Sequence, residues 1–195
     1  MRRRRSIGAI LMLYSISGLA TILDTQNAHF SPDGYRISYY RSATPLEVEG
    51  GVTLTTEELS LQLLKHPETR LIDVQPVTWR NGIFIYDTPR QTLPNSIWLP
   101  NVGWGELEDH WIEYFAKHLF ELSQGNRNHP IALFCTADCW MSWNAVKRAH
   151  SWGYTQLLWY AEGSDGWLEA GYALKDAHPE PLAVDALLYA TGEVP

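Results

Sequence analysis

The chain has 195 residues, with 15 Lys and Arg against 22 Asp and Glu, a formal charge of −7 and 45% apolar side chains. This acidic balance excludes a protein that holds nucleic acid or an anionic membrane surface through a broad basic face. Two cysteines allow one intramolecular bridge and, with no second Cys-x-x-Cys, make a metal site less attractive.

Met1 is followed by four arginines, Arg2 to Arg5, and an apolar run from Ile7 to about Leu23 with a small-residue exit at Gly18-Leu19-Ala20. This pattern predicts a Sec-type signal peptide over residues 1–20, the alternative being an uncleaved anchor helix, because the run is barely long enough to span a bilayer. Either form exports the rest of the chain to the periplasm, where two cysteines can exist as a disulfide. Removing the signal removes four positive charges and takes the formal charge from −7 to −11. About 175 residues remain, enough for one domain with a real core.

Residues 21–51 read as an N-terminal extension. Ser31-Pro32-Asp33-Gly34, Thr44-Pro45 and Glu49-Gly50-Gly51 are turn sequences, with Tyr35, Tyr39 and Tyr40 between them, so this segment packs along a domain more than it builds one. Thr55-Thr56-Glu57-Glu58 is a capping box, and Leu59, Leu63 and Leu64 then share one helical face. Leu71-Ile72-Asp73-Val74 has strand character, ended by Pro76 and Asn81-Gly82, and a second short strand lies within Leu93 to Pro100. The stripe Trp104, Leu107, Trp111, Phe115, Leu119, Leu122 predicts a long helix closed by Gly125.

Ile131 to Phe134 is wholly apolar, as in the buried middle of a parallel sheet. It runs into Cys135-Thr136-Ala137-Asp138-Cys139-Trp140-Met141, after which Ala145, Val146, Ala149 and Trp152 line a helix ending at Gly153. Leu157 to Tyr160 forms another strand and Gly163 to Gly171 a last short helix, with Trp167 in the core. Strands alternating with helices predict an α/β fold, a central parallel sheet with right-handed crossovers and helices on both faces. Ligand sites in such sheets lie beyond the carboxyl ends of the strands, where Cys135 falls. A thiol at that strand-to-helix turn sits near unpaired N–H groups and the positive end of a helix, which favour its nucleophilic thiolate. The histidines offer no metal-ligand spacing: His110 and His118 lie eight apart, and His150 makes no recognised set with the cysteines.

Leu71-Ile72-Asp73-Val74-Gln75-Pro76, Leu93 to Pro100, Phe134-Cys135, Trp152-Gly153-Tyr154 and Tyr160 to Gly171 run in the order seen in rhodanese domains, which the chain resembles over residues 52–176, leaving 177–195 as a C-terminal tail. The string Cys135 to Ala145 is similar to a group of exported rhodanese-like proteins named for a Cys-x-x-Cys-Trp (CXXCW) motif and associated with PQQ-dependent alcohol catabolism. That name implies two residues between the cysteines, where this chain has three. The resemblance implies a nucleophilic Cys135 that accepts sulfur as a persulfide, cradled by the N–H groups of Thr136 to Met141. It implies PQQ only on a partner enzyme, and periplasmic proteins of a PQQ-dependent alcohol dehydrogenase system as partners.

Three departures stand out. Trp140 and Met141 occupy the loop's end, where active rhodaneses often carry arginine, and Gln75 replaces the arginine usual after Asp73-Val74; Asp138 adds negative charge beside the nucleophile. All three disfavour a dianionic donor such as thiosulfate. Lys147 and Arg148 lie two turns into the next helix and read as a solvated face. Asp73 either bonds the loop near Cys135 or caps a strand end. Three readings follow: Cys135 as a sulfur carrier, Cys135 and Cys139 as a redox pair, or a catalytically inactive binding module with a structural bridge, in which Trp140, Trp143 and Trp104 face a ligand or partner.

Overall fold

The computed structural model describes residues 28–182, so the predicted signal peptide over residues 1–20 and the end of the predicted tail lie outside the described part. Five strands form one parallel sheet: β1 (Gly51–Leu54), β2 (Arg70–Asp73), β6 (Ser96–Trp98), β7 (Ile131–Phe134) and β8 (Leu157–Tyr160), in the spatial order β1-β8-β7-β2-β6. The remaining strands make two small antiparallel pairs, β3 (Thr78–Arg80) with β4 (Ile83–Ile85), and β5 (Arg90–Thr92) with β9 (Lys175–Ala177). The helices are α1 (Thr56–Lys65), α2 (Asp109–Ser123), α3 (Trp140–Ser151) and α4 (Gly163–Glu169).

Both faces of the sheet are covered, and the period-2 alternation of side chains divides the core in two. On one face Ile72, Ile131, Leu133, Leu157 and Trp159 pack with Trp111, Tyr114, Phe115 and Leu119 of α2 and with Met141, Ala145, Val146 and Ala149 of α3. On the other, Leu71, Ala132, Phe134 and Tyr160 pack with Leu59 of α1 and Trp167 of α4. The α/β layering expected from the alternating pattern is the one observed. At the N-terminus of α1 the capping box forms as expected, the Thr55 hydroxyl accepting from the Glu58 N–H while the Glu58 carboxylate accepts from the Thr55 N–H at 2.8 Å.

Some elements differ from expectation. The helix predicted from Trp104 begins only at Asp109, and Trp104 and Leu107 precede it in irregular chain. That stretch is held against α3, where a Cβ on Gly103 would strike the Met141 backbone, so close packing replaces the helical turn that the apolar spacing suggested. Leu64 is exposed, so the apolar face of α1 is narrower than its leucines implied. Asn81-Gly82 does more than end a strand: both residues take positive φ, 52° and 79°, and close the β3–β4 hairpin.

The parallel register aligns Leu54, Tyr160, Phe134, Asp73 and Trp98 in one row at the carboxyl edge of the sheet. Val74, Cys135 and Ala161 come just past that row.

Candidate functional site

Cys135 follows the last residue of β7, and Cys139 is the N-cap of α3. The turn between them doubles back, with Asp138 at a φ of 51°, and brings the two Cα atoms to 6.3 Å, within the range a disulfide needs. The sulfurs are bonded to each other. Both residues are buried, Cys135 at 0% and Cys139 at 3% exposure.

The N–H groups assigned to a persulfide cradle are partly occupied. Ala137 N–H donates to Asp165 Oδ2 at 3.2 Å and Trp140 N–H to the Tyr40 carbonyl at 2.9 Å. The Cys135 carbonyl is held by Ser164 N–H at 3.0 Å, an approach that needs glycine at position 163, where a Cβ would lie 2.5 Å from that same oxygen. Gln75 Oε1 lies 3.1 Å from Cys135 Sγ. In the dithiol form the Cys135 S–H donates to it; in the disulfide the sulfur has no proton to donate and the contact is not a hydrogen bond.

Asp73 is wholly buried, and three donors converge on its carboxylate: Gln75 N–H at 2.9 Å, Arg90 Nε at 2.9 Å and Thr92 Oγ1 at 2.7 Å. Burial pushes its carboxyl above the ordinary value, against the opposing pull of Arg90, Thr92 and the Gln75 N–H. Desolvation thus outweighs the ion pair. Arg90 also donates through Nη2 to Ser164 Oγ at 2.9 Å and, at 3.4 Å, to the Cys135 carbonyl. Asp73 therefore reaches the cysteine loop through Arg90, while it also fixes the strand end through Gln75. Arg90 is a cation beside the loop that no local sequence pattern indicated, because the β3–β4 hairpin separates it from Asp73.

The tryptophans of the loop-helix string face the chain's own N-terminal extension. Residues 28–48 run as a strap over α3 and the cysteine turn. Arg36 lies over the rings of Phe30 and Trp140, at 5.2 Å and 4.7 Å. Trp140 Nε1 donates to Ser42 Oγ at 3.1 Å, Trp143 Nε1 to the Glu47 carbonyl at 3.0 Å, and Trp104 meets Tyr40 edge-on at 4.7 Å. Asn144, fully buried, treats Arg36 as a strand neighbour would, accepting from its N–H at 2.9 Å and donating to its carbonyl at 2.8 Å, with a second N–H to the Gly103 carbonyl at 2.9 Å. Met141 is fully buried in the core.

Arg41 pairs with Cys139 across an isolated antiparallel bridge, in which Ser42 N–H donates to the Asp138 carbonyl at 3.0 Å. The Arg41 guanidinium donates to the Thr136 hydroxyl, setting a second cation over the loop. Asp138 itself is exposed. Replacing Ser42 with proline deletes one of the bridge's two hydrogen bonds, about 1 kcal/mol, so the native disulfide should be reduced about fivefold faster by a water-soluble phosphine. An unchanged rate would mean that the sulfurs are reached without opening the strap.

Arg148 is not on a solvated face. It is buried, donates to the carbonyls of Val102, Trp104 and Gly105 at 3.0 Å each and stacks on Tyr35 at 4.4 Å; burial lowers its pKa. The irregular segment before α2 turns its carbonyls toward α3, and a guanidinium with five donors is the side chain able to satisfy them. Lys147 is half-buried and pairs with Glu49 at 2.6 Å. Beside the cysteine turn, a cleft of about 340 Å³ is lined by Thr44, Pro45, Leu46, Thr55, Ala137 and Asp138, among others.

No known family's sequence model matches the chain, and no curated protein matches it. Among solved structures, the chain is similar to a thiosulfate sulfurtransferase from Pseudomonas aeruginosa, with 16% identity over 67% of this chain and 21% of that one, TM-score 0.46. It is also similar to the polysulfide-sulfur transferase homodimer from Wolinella succinogenes, with 19% identity over 65% of this chain and 80% of that one, TM-score 0.43. A third is a 3-mercaptopyruvate sulfotransferase from Escherichia coli, described by its rhodanese fold, with 16% identity over 73% of this chain and 64% of that one, TM-score 0.44. The chain thus spans about a fifth of the length of the first of these.

Proposed function

We propose that the protein is an exported rhodanese-like protein whose Cys135 and Cys139 cycle between dithiol and disulfide, exchanging sulfur or electrons with a periplasmic partner. The observation that carries this reading is the bond between a strand-end cysteine and the N-cap cysteine of the following helix. Cys139 is the better leaving group, because its thiolate is stabilised by the N-terminal N–H groups and dipole of α3. An incoming thiolate therefore attacks Cys135 Sγ, the Cys135–Cys139 bond breaks, and Cys139 departs as thiolate. A second thiol of the partner then attacks the mixed disulfide and releases Cys135. Export rests on the four arginines and apolar run at the N-terminus. Service to PQQ-dependent alcohol oxidation rests on the likeness of the Cys135 to Ala145 string, with PQQ held by the partner enzyme.

The burial of both cysteines under the strap favours a second reading, a rhodanese-like accessory module with a structural bridge. Counting thiols by mass spectrometry on the native protein separates the two. The redox reading expects no free thiol as isolated, two after mild reductant at neutral pH, and none again on reoxidation. A bridge that resists mild reductant while the protein stays folded overturns the redox and sulfur-transfer roles together.

A further inference from the structure

We infer that the Cys135–Cys139 arrangement makes sulfur uptake reductive: the dithiol form takes a sulfane sulfur onto Cys135 and expels it as hydrosulfide. This rests on the reading that Cys135 accepts sulfur. Two observations carry it. Two of the six N–H groups from Thr136 to Met141 that would hold the outer sulfur of a persulfide already serve other acceptors, Ala137 N–H the Asp165 carboxylate and Trp140 N–H the Tyr40 carbonyl, which weakens the cradle. The sulfur of Cys139, by contrast, is within bonding reach of Cys135 Sγ without any rearrangement of the turn, since that bond is the one present.

The steps balance. Cys135 thiolate attacks the outer sulfur of an organic persulfide, forming the Cys135 persulfide and releasing the donor's thiolate. Cys139 thiolate then attacks Cys135 Sγ, the bond from Cys135 Sγ to the outer sulfur breaks, and hydrosulfide leaves with the electron pair. The two protein thiolates are oxidised to the disulfide while the sulfane sulfur is reduced to sulfide. Two thiols of a partner, or one dithiol, reduce the bridge and are themselves oxidised. Cys139 stands at the N-terminus of α3, where the thiolate it needs for attack is stabilised. Arg41, bonded to the Thr136 hydroxyl, is positioned to meet the negative charge that enters and leaves over the loop.

The test is a single turnover of the full exported chain, reduced, desalted and mixed with one equivalent of glutathione persulfide carrying a heavy sulfur isotope at its outer position. The wild type should release one equivalent of labelled hydrosulfide, trapped with a bimane reagent, and finish two hydrogens lighter with the Cys135–Cys139 bond formed. Cys139→Ser should gain one labelled sulfur on Cys135 and lose it only slowly to the one equivalent of liberated glutathione, with fast release when excess external thiol is added. Cys135→Ser should do neither. A wild type that retains the labelled sulfur as a stable persulfide, or a Cys139→Ser variant that releases hydrosulfide as fast as wild type, overturns the reductive step while leaving sulfur uptake standing. Absence of label on Cys139→Ser together with absence of hydrosulfide from the wild type overturns uptake itself, and the inference with it.

Discussion

Asp73→Ala is expected to cost about 3–5 kcal/mol of unfolding free energy, the range for removing one partner of a buried ion pair. The substitution leaves Arg90, only 15% exposed, without its carboxylate, orphans the Gln75 N–H, and leaves the buried Thr92 hydroxyl only its bond to the Ser96 hydroxyl at 3.2 Å. Asp73→Asn keeps an acceptor in place and should cost clearly less at neutral pH. The two variants also separate by pH. A carboxyl raised on folding favours the folded state when protonated, so its contribution is complete below the ordinary carboxylate value and is lost as pH rises through the folded value. The stability of wild type relative to Asp73→Asn should therefore fall as pH rises from that ordinary value upward. Urea unfolding across that interval is the measurement, and a relative stability that rises with pH would mean that Arg90, not desolvation, dominates the carboxylate.

Asn144→Ala is the second large effect, about 2–4 kcal/mol, because one fully buried amide serves three backbone groups and each group left unsatisfied costs about 1–3 kcal/mol, partly relieved where water reaches the strap. The loss is local in consequence. The Arg36 backbone loses its tie to α3, which weakens the hold on the strap that covers Cys139. Limited proteolysis should cut within residues 36–42 faster than in wild type, and a phosphine should reduce the disulfide faster. A variant destabilised to this degree yet unchanged in both rates would show that the remaining contacts of Trp140, Trp143 and Tyr40 hold the strap alone.

Elements whose causes are local were legible in the chain. The Thr55 capping box, the apolar β7 run and the glycine-ended α3 depend on neighbours within a few residues, and each formed where its pattern pointed. The position of Cys135 at a sheet's carboxyl edge followed from strand-helix alternation alone. What misled was periodicity without context: Trp104 and Leu107 fit the helical stripe of α2 but precede the helix, Trp104 seated against Tyr40 and Leu107 packed on the core, since three- and four-residue spacing records burial, not the partner that causes it. Arg148 misled for the converse reason. Its charge suggested solvent, while the three carbonyls that bury it belong to a segment about 45 residues away.

By itself, the sequence determined an acidic chain, an α/β sheet of alternating strands and helices, and two cysteines flanking a strand-to-helix turn, since composition, alternation and spacing are properties of contiguous residues. Only the tertiary structure decided that those cysteines meet, that Arg90 and Arg41 bring cations to a loop whose own positions hold none, and that the tryptophans beside it are taken up by the chain's own strap. Each of these depends on contacts between residues far apart in the chain, such as Arg36 with Asn144, or on a backbone turn such as Asp138's, whose conformation is set by the elements packed on either side of it.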